Sequence, residues 1–312
     1  MAFRFQLPLF LLCMLVGAAH GQFLSPNFYG SSCPNLESIV RSEMTKAVAM
    51  DRRMGASILR LFFHDCFVNG CDASVLLDDA PPFVGEKTAD PNRNSLRGYE
   101  VIDAIKASVE AACPATVSCA DILALAAREG ISQLGGPAWT VQLGRRDATA
   151  AANPSVANAN LPFATDNLDK LISLFAGKGF SAQEMTALSG AHTVGLAQCD
   201  KFRRRIFGDA DIDPGFADDL RKQNCPSFAP LDRQSPMQFD NLYYQNLVLK
   251  KGLLHSDQEL FNGGSQDSVV MTYSMNNNAF RNDFAAAMEK MGRIRPLTGL
   301  SGEIRFKCNK VN

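Results

Sequence analysis

The amino-acid sequence predicts a mainly α-helical protein with few strands. Apolar residues recur at helical spacing in several stretches, and two Ser-x-x-Asp/Glu patterns resemble the capping boxes that begin helices. Runs that favour strands are sparse. The 312 residues are enough for one large domain or two packed halves, and the pattern allows a division near residue 165.

The predicted helices follow one another along the chain. The first extends from Leu36 to Val48, and the second covers Ile58 to Phe62 ahead of a glycine-containing turn. Ser118 and Ser181 begin two more, and later helical patterns run over residues 168–176, 241–249 and 279–291. The best strand candidates are 139–143 and 303–306, and Pro- and Asn-rich loops are expected at 79–94 and 153–161.

The first 21 residues have the pattern of a secretory signal peptide. Arg4 precedes an apolar run, and small residues follow it before the expected start of the mature chain at Gln22. A membrane anchor is the alternative, but the run is much shorter than the roughly 20 residues that a bilayer requires. We therefore expect an exported protein without a membrane-spanning segment.

Charge and cysteine content agree with export. Lys and Arg total 31 against 32 Asp and Glu, so the charge balance indicates neither a nucleic-acid partner nor a membrane partner. We expect a monomer. The basic run Lys201–Arg205 is interpreted as the solvated face of a helix. Of nine cysteines, Cys13 lies in the signal, and the other eight form an even set that predicts four disulfides with the pairing left open.

Arg60 and His64 form the most informative pair in the sequence. They are four residues apart, so a helix places them on one face beside Phe62 and Phe63. A histidine in an apolar helix is more often a satisfied core residue, but a neighbouring cation makes burial without a purpose costly. A neutral imidazole that moves a proton and a guanidinium that stabilises developing negative charge would supply that purpose.

His192 is the second candidate, in the small-residue segment Ser189-Gly-Ala-His-Thr-Val-Gly195. Small neighbours leave room for a ligand to approach the backbone, although a histidine at a helix end can also be stabilised by the helix dipole. With His20 in the signal, only His64, His192 and His255 remain in the mature chain, and we expect His255 to be exposed.

Several long motifs give the chain a family resemblance. Residues 60–74, Leu188–Gly195, Phe239–Tyr244 and Ser256–Phe261 resemble, in the same order, the motifs of the secreted plant (class III) haem peroxidases. The resemblance covers essentially the whole mature chain. It implies a two-domain, mainly α haem peroxidase fold, with a distal half at about 22–165 and a proximal half at about 166–312.

The resemblance also implies roles for individual residues. Arg60 and His64 become the distal catalytic pair, with Asn92 holding the second nitrogen of His64 and Glu86 supporting Asn92. His192 becomes the iron ligand, with Asp257 hydrogen-bonded to its other nitrogen. Pro162 would offer its carbonyl to an aromatic donor. Without the resemblance, Asn92 and Pro162 would be interpreted as ordinary loop residues. Leu231 departs from the family, which commonly has an aromatic residue there.

The resemblance implies two calcium ions. Calcium prefers six to eight oxygen ligands, and both expected sites are rich in oxygen atoms. The first site would use Asp65, Val68, Gly70, Asp72 and Ser74. The second would use Thr193, Asp232, Ser235 and Asp240, with a possible carbonyl from Gln238. Without the resemblance, the first group would be an acidic solvent-facing turn. The implied disulfides are Cys33–Cys113, Cys66–Cys71, Cys119–Cys308 and Cys199–Cys225.

The implied activity is peroxide-dependent oxidation of phenolic donors. Peroxide would bind one non-covalent b-type haem, since no Cys-x-x-Cys-His attachment motif occurs. His64 and Arg60 would drive heterolysis to a ferryl intermediate, and two donors would each return one electron. The context would be the cell wall or apoplast, in oxidative stress and lignin-type metabolism. A non-enzymatic haem-binding protein and a calcium-stabilised extracellular protein are the alternatives, and the physiological donor is open.

The family usually carries Asn-linked glycans, whereas this chain offers no acceptor for them. Glycosylation requires Asn-x-Ser/Thr with x other than proline. The one Asn with Ser two residues later is Asn153, and Pro154 between them disqualifies it. We therefore expect an unglycosylated protein.

Overall fold

The computed structural model describes residues 24–82 and 84–312, so the predicted signal peptide at 1–21 lies outside the described residues. The protein is mainly helical, as predicted. The helices are α1 Leu36–Met50, α2 Arg53–Val68, α3 Tyr99–Ala112, α4 Cys119–Gln133, α5 Pro154–Asn160, α6 Leu168–Ala176, α7 Ala182–Ser189, α8 Cys199–Gly208, α9 Pro214–Lys222, α10 Leu242–Val248, α11 His255–Gln258, α12 Asp267–Met275 and α13 Asn277–Met291. In this part of the chain no helix is both long and apolar enough to cross a membrane.

The one sheet found in the described residues is a short antiparallel pair. Strand β1, Leu196–Gln198, lies against β2, Phe228–Pro230, with Leu196 opposite Pro230. Both strand predictions were wrong. Among the described residues, the segments 139–143 and 303–306 take part only in isolated bridges, at Leu143 and Glu303, and no strand of that part of the chain runs alongside them.

Helix α5 replaces the loop that was predicted at 153–161. The Asn153 side chain accepts a hydrogen bond from the Ser155 backbone amide, and Pro154 occupies the first helical position. A proline is tolerated there because its missing N–H has no partner within a helix anyway. Residues that were interpreted as loop formers therefore act as a helix start.

The two predicted capping boxes differ. At α7 the box is complete, since Ser181 and Glu184 each accept the other's backbone N–H. At α4 only half forms, because Ser118 accepts from the Asp121 amide while the Asp121 carboxylate binds elsewhere. Its Oδ1 accepts from Arg145 Nη1 at 2.7 Å, in an ion pair that is buried on both sides.

Helix α2, which bears Arg60 and His64, crosses α4 at a point where both helices have a glycine. A Cβ built on Gly55 would lie 2.7 Å from the Gly130 carbonyl oxygen, and one built on Gly130 would lie 3.0 Å from the Gly55 Cα. Larger residues would force the helices apart, since packed interiors tolerate little added volume. This close crossing fixes α2 in the main hydrophobic core.

A second, smaller core lies under α8 and α9, and it corrects the interpretation of the basic run 201–205. Phe202, Ile206 and Phe216 are buried in this core. Arg205 is also buried, with its Nη1 at 2.9 Å from Asp211 Oδ1 and its Nε donating to the Gly252 carbonyl. Arg205 can point into the protein because carboxylate and carbonyl oxygens accept hydrogen bonds from its guanidinium there.

Four disulfides stabilise the part of the fold that the structure describes. They are Cys33–Cys113, Cys66–Cys71, Cys119–Cys308 and Cys199–Cys225, the same pairs that the family resemblance implies. The bond between Cys119 and Cys308 spans 189 residues and attaches the C-terminal segment to the start of α4. Since α4 packs on α2, which bears Arg60 and His64, this bond helps to hold the helices that support the candidate site.

Candidate active site

One cavity of about 330 Å³ brings together the histidines that the sequence singles out. Arg60 and His64 reach it from α2, one helical turn apart, and His192 and Asp257 reach it from the later part of the chain. Much of the remaining lining is apolar, from Leu171, Phe175, Leu188, Val194, Phe284 and Met288. Charged and titratable groups thus meet in an otherwise apolar space.

His64 is held by a chain of hydrogen bonds. Its Nδ1 lies 2.6 Å from Asn92 Oδ1, and Asn92 Nδ2 donates to the Glu86 main-chain carbonyl at 2.8 Å. The Glu86 carboxylate points elsewhere and accepts from the Ala152 amide at 3.1 Å. Glu86 therefore supports Asn92 through its backbone. Because an amide oxygen only accepts, the Nδ1 of His64 carries the proton and Nε2 keeps its lone pair.

The surroundings of His64 favour its neutral form. Burial lowers the pKa of His64 well below its usual value, and the positive charge of Arg60 lowers it further. Arg60 Nη2 donates to the Pro91 carbonyl at 2.7 Å and to Ser95 Oγ at 3.2 Å. Burial lowers the pKa of Arg60 to about 10, so it still bears its charge at neutral pH. The pair combines a neutral base with a fixed cation.

His192 lies in a short 3₁₀ turn, residues 190–193, that continues from the end of α7. Its Nδ1 is 2.7 Å from Asp257 Oδ1, and its side chain is 38 % exposed because it borders the cavity. Gly190 lets this turn pack closely, since a Cβ there would overlap Tyr244 and Phe280. The small residues around His192 therefore allow close packing on α10 and α13 in addition to access from the cavity.

Asp257 is a buried carboxylate that three groups contact. Its Oδ1 accepts from Tyr243 Oη at 3.0 Å and also lies next to His192 Nδ1, while its Oδ2 accepts from the Leu254 amide at 3.1 Å. Sequence reasoning missed Tyr243. The residue stands inside the motif Phe239–Tyr244, but spacing alone gave no sign that its hydroxyl reaches Asp257.

His255 was expected to be exposed, and that expectation was wrong. Its Nδ1 lies 2.7 Å from Asp209 Oδ2, its Nε2 lies 3.5 Å from Glu259 Oε1, and its side chain is half-buried. The hydrogen bond between His255 Nδ1 and Asp209 Oδ2 explains the position, because it holds the ring against the body of the protein. His255 is not among the residues that line the cavity, which leaves His64 and His192 as the two histidines there.

Comparison with known proteins identifies the family of this chain. The peroxidase family model matches residues 40–276. Peroxidase 4 of Vitis vinifera is 56 % identical over 310 residues, covering 97 % of this chain and 96 % of its own length. The lignin-forming anionic peroxidase of Nicotiana sylvestris is 52 % identical and covers 100 % of this chain and 98 % of its own. The chain belongs to the plant peroxidase family. It is a peroxidase, a family that implies haem, hydrogen peroxide and reducing donors.

The lining of the peroxidase cavity also includes polar residues. Arg53, Lys201 and Gln198 line the cavity together with Pro162 and Phe163, whose side chain is partly exposed. Burial lowers the pKa of Arg53, and the neighbouring Arg97 adds to that effect. Leu231 also lines the cavity. The lining thus offers cations and an aromatic ring to a ligand.

The oxygens of the first expected calcium site lie directly behind His64. Asp65 and Ser74 are fully buried, and Asp72 is nearly so. Burial raises the pKa of Asp65 well above its usual value, and the charge of Asp72 raises it further. The Ser74 hydroxyl is buried without a hydrogen-bond partner, and the Val68 carbonyl accepts from Lys178 Nζ at 3.1 Å. Two buried carboxylates beside a free hydroxyl are suited to a cation.

The oxygens of the second expected site converge beside His192. Thr193 Oγ1 lies 3.4 Å from Asp232 Oδ2 and 3.5 Å from both Asp240 Oδ1 and the Gln238 carbonyl. Ser235 Oγ lies 3.2 Å from Asp232 Oδ2 and 3.1 Å from Asp240 Oδ1. Within the described residues, neither group contains three clustered His, Cys, Asp or Glu side chains. Hydroxyl and carbonyl oxygens would therefore have to complete both sites, as calcium permits.

Proposed function

We propose that this peroxidase reduces hydrogen peroxide with His64 as the acid–base group and Arg60 as the charge stabiliser, and oxidises phenolic donors in one-electron steps. One observation carries the proposal. A neutral, hydrogen-bonded His64 and a charged Arg60 border the same cavity as the His192–Asp257 pair. A protein that only bound haem would have no need of the guanidinium at Arg60.

The cavity suits a b-type haem. Apolar side chains such as Leu171, Phe175 and Phe284 would contact the macrocycle, and Arg53 in the lining would meet its carboxylates. His192 would hold the iron, since its Nδ1 is engaged by Asp257 and its other nitrogen remains as a ligand. When bound, the haem supplies an iron that peroxide oxidises by two electrons and that donors reduce again one electron at a time.

His64 moves the proton of peroxide. Its Nδ1–H is donated to Asn92, so the lone pair on Nε2 is available to take a proton from one peroxide oxygen. The same nitrogen then returns the proton to the oxygen that leaves as water. A low pKa suits both steps, because the ring must be neutral before the reaction and must release its proton afterwards.

Arg60 stabilises the negative charge that develops as the oxygen–oxygen bond breaks. Its contacts with the Pro91 carbonyl and Ser95 hold the guanidinium in place before the substrate arrives. A fixed cation in an apolar cavity acts more strongly than one in water and needs no reorganisation during the reaction. Asp257, in turn, increases the electron donation of His192, as carboxylate partners do for histidine ligands.

Donors would bind at the part of the cavity that Pro162 and Phe163 line. The Pro162 carbonyl would accept a phenolic hydroxyl, and the Phe163 ring would pack on the aromatic donor. One relative is named a lignin-forming peroxidase, which favours phenolic precursors of cell-wall polymers as donors. We propose roles in lignin-type phenolic metabolism and in the response to oxidative stress.

Two calcium ions would stabilise the two walls of the cavity. The first would bind Asp65, Asp72 and Ser74 with the Val68 and Gly70 carbonyls. The second would bind Thr193, Asp232, Ser235 and Asp240. Support comes from the buried carboxylates and the unpartnered Ser74 hydroxyl at the first site, and from the converging oxygens at the second.

We propose further that the chain is exported as a monomer and acts outside the cell. The signal-like segment at 1–21 and the four disulfides support this, because disulfides persist in oxidising compartments. The distal half, 22–165, would supply Arg60 and His64, and the proximal half, 166–312, would supply His192.

The test is a haem titration followed by peroxide turnover. The purified protein is titrated with haem, and the loaded enzyme is then given peroxide with a panel of phenols. We expect one haem per chain in the parent, weak binding in His192→Ala, and normal binding without turnover in His64→Leu. Equal haem binding in His192→Ala would remove His192 from the ligand role, and undiminished turnover in His64→Leu would remove His64 from catalysis.

A further inference from the structure

We propose that Tyr243 is a positioning residue that limits the strength of the hydrogen bond between His192 and Asp257. The inference rests on the proposed role of His192 as the iron ligand. The hydroxyl of Tyr243 and the Nδ1 of His192 share one oxygen of Asp257, so the tyrosine moderates the pull of the carboxylate on the imidazole proton.

The geometry places both donors on the same atom. Tyr243 Oη lies 3.0 Å and His192 Nδ1 lies 2.7 Å from Asp257 Oδ1. Tyr243 is 1 % exposed and Asp257 is 2 % exposed, so no bulk water competes for this oxygen. The other oxygen, Oδ2, is engaged by the Leu254 amide at 3.1 Å. The arrangement holds the carboxylate from three sides.

Two donors on one carboxylate oxygen weaken each other. Each withdraws electron density from Oδ1, so the second bond is weaker than it would be alone. Such effects are large where water is excluded, because the local dielectric is low. Removal of the Tyr243 hydroxyl should therefore strengthen the bond from His192 Nδ1 to Asp257. A stronger bond gives the imidazole more anionic character and makes its other nitrogen a stronger electron donor.

The ring of Tyr243 has a separate effect that the test must keep constant. Its centroid lies 6.2 Å from that of His192, at an interplanar angle of 85°, so its edge contacts the imidazole. Tyr243 is the aromatic neighbour of His192 among the ring contacts of the described residues. The Tyr243→Phe substitution retains this ring and removes only the hydroxyl.

Tyr244 provides a matched control. It is the next residue in the chain and is also fully buried, but its hydroxyl donates to the Thr186 carbonyl at 2.9 Å instead of to Asp257. The Tyr244→Phe substitution removes the same group from the same helix. It should therefore reproduce any general loss of packing or stability without a change at Asp257.

The experiment measures the iron–histidine stretching frequency of the ferrous, haem-loaded protein by resonance Raman spectroscopy, together with its ferric–ferrous reduction potential. We expect Tyr243→Phe to have a higher stretching frequency and a lower potential than the parent, and Tyr244→Phe to match the parent. In an Asp257→Asn background, Tyr243→Phe should cause no further shift, because the shared carboxylate is gone.

The outcomes separate this inference from the proposed function. A parent spectrum without an iron–histidine band would overturn the ligand role of His192 itself. A normal parent band that is unchanged in Tyr243→Phe, shifted to lower frequency, or shifted equally in Tyr244→Phe would overturn the tuning role of Tyr243 alone. A shift that persists in the Asp257→Asn background would also overturn it, because the effect would not pass through that carboxylate.

Discussion

Replacement of Asn92 by alanine should slow the reaction with peroxide while leaving haem bound. The substitution removes the oxygen that accepts the Nδ1–H of His64 at 2.6 Å. Without that acceptor the imidazole loses its fixed tautomer. It also becomes a weaker base, because the bond to Asn92 is the contact that raises the pKa of His64 against burial and Arg60.

The size of the effect follows from the burial of the bond. A buried donor that loses its partner costs about 1–3 kcal/mol. His64 is only 5 % exposed and Asn92 is 2 % exposed, so water cannot easily replace the amide. At about 1.4 kcal/mol for each factor of ten, the rate constant should fall about tenfold to a hundredfold.

The assay is a stopped-flow measurement of the second-order rate constant for the reaction of the haem-loaded protein with peroxide. Asn158→Ala is the matched control, since that amide accepts from the Asp90 backbone in the same loop but does not contact His64. In a His64→Leu background, Asn92→Ala should cause no further loss, because Asn92 acts through the imidazole. An unchanged rate in Asn92→Ala, or a further loss in the double variant, would refute the reasoning.

Four other predictions follow from the structure and sequence. Because the lowered pKa of His64 keeps its ring neutral, the rate with peroxide should stay constant as the pH falls through 6.5, the usual histidine value, and decline only at lower pH; a decline centred at 6.5 would contradict this. Chelation of calcium should lower the midpoint of thermal unfolding and slow turnover, with recovery on adding calcium but not magnesium; metal analysis that finds no calcium would argue against both sites. Replacement of Cys119 and Cys308 by alanine should lower the free energy of unfolding by about 5 kcal/mol, the value that loop entropy gives for a separation of 189 residues. Replacement of Cys66 and Cys71 should lower it by about 2 kcal/mol, and equal losses in denaturant unfolding would exclude loop entropy as the main cause. Protein from its native source should keep its mass on treatment with peptide-N-glycosidase, and a fall in mass would show that the sequon argument is wrong.

Local patterns in the sequence predicted what local geometry determines. The spacing of Arg60 and His64 indicated one helix face, and both residues do border one cavity from α2. The capping box at Ser181 formed completely, whereas the one at Ser118 formed only by half because Arg145, distant in the sequence, takes the Asp121 carboxylate. Asn153 and Pro154 were interpreted as loop residues, although the same two residues can also begin a helix.

Contacts between distant parts of the chain were not accessible in this way. Asn92 lies 28 residues from His64, and its part in the site came only from the family resemblance. The hydroxyl of Tyr243 on Asp257 was missed because neither helix spacing nor composition indicates a bond between α10 and α11. Arg205 was placed on a solvated face because its burial depends on carboxylates and carbonyls that only the folded chain brings together.

The proposed reaction depends most on His64 as the group that moves the proton of peroxide. Stopped-flow spectroscopy of the haem-loaded parent and of His64→Leu, each mixed with peroxide, tests it directly. We predict that both proteins have the same Soret band before mixing, and that the variant reacts about a hundredfold to ten-thousandfold more slowly, the usual contribution of a positioned acid–base group. Equal rates in two proteins that bind haem equally would contradict the account.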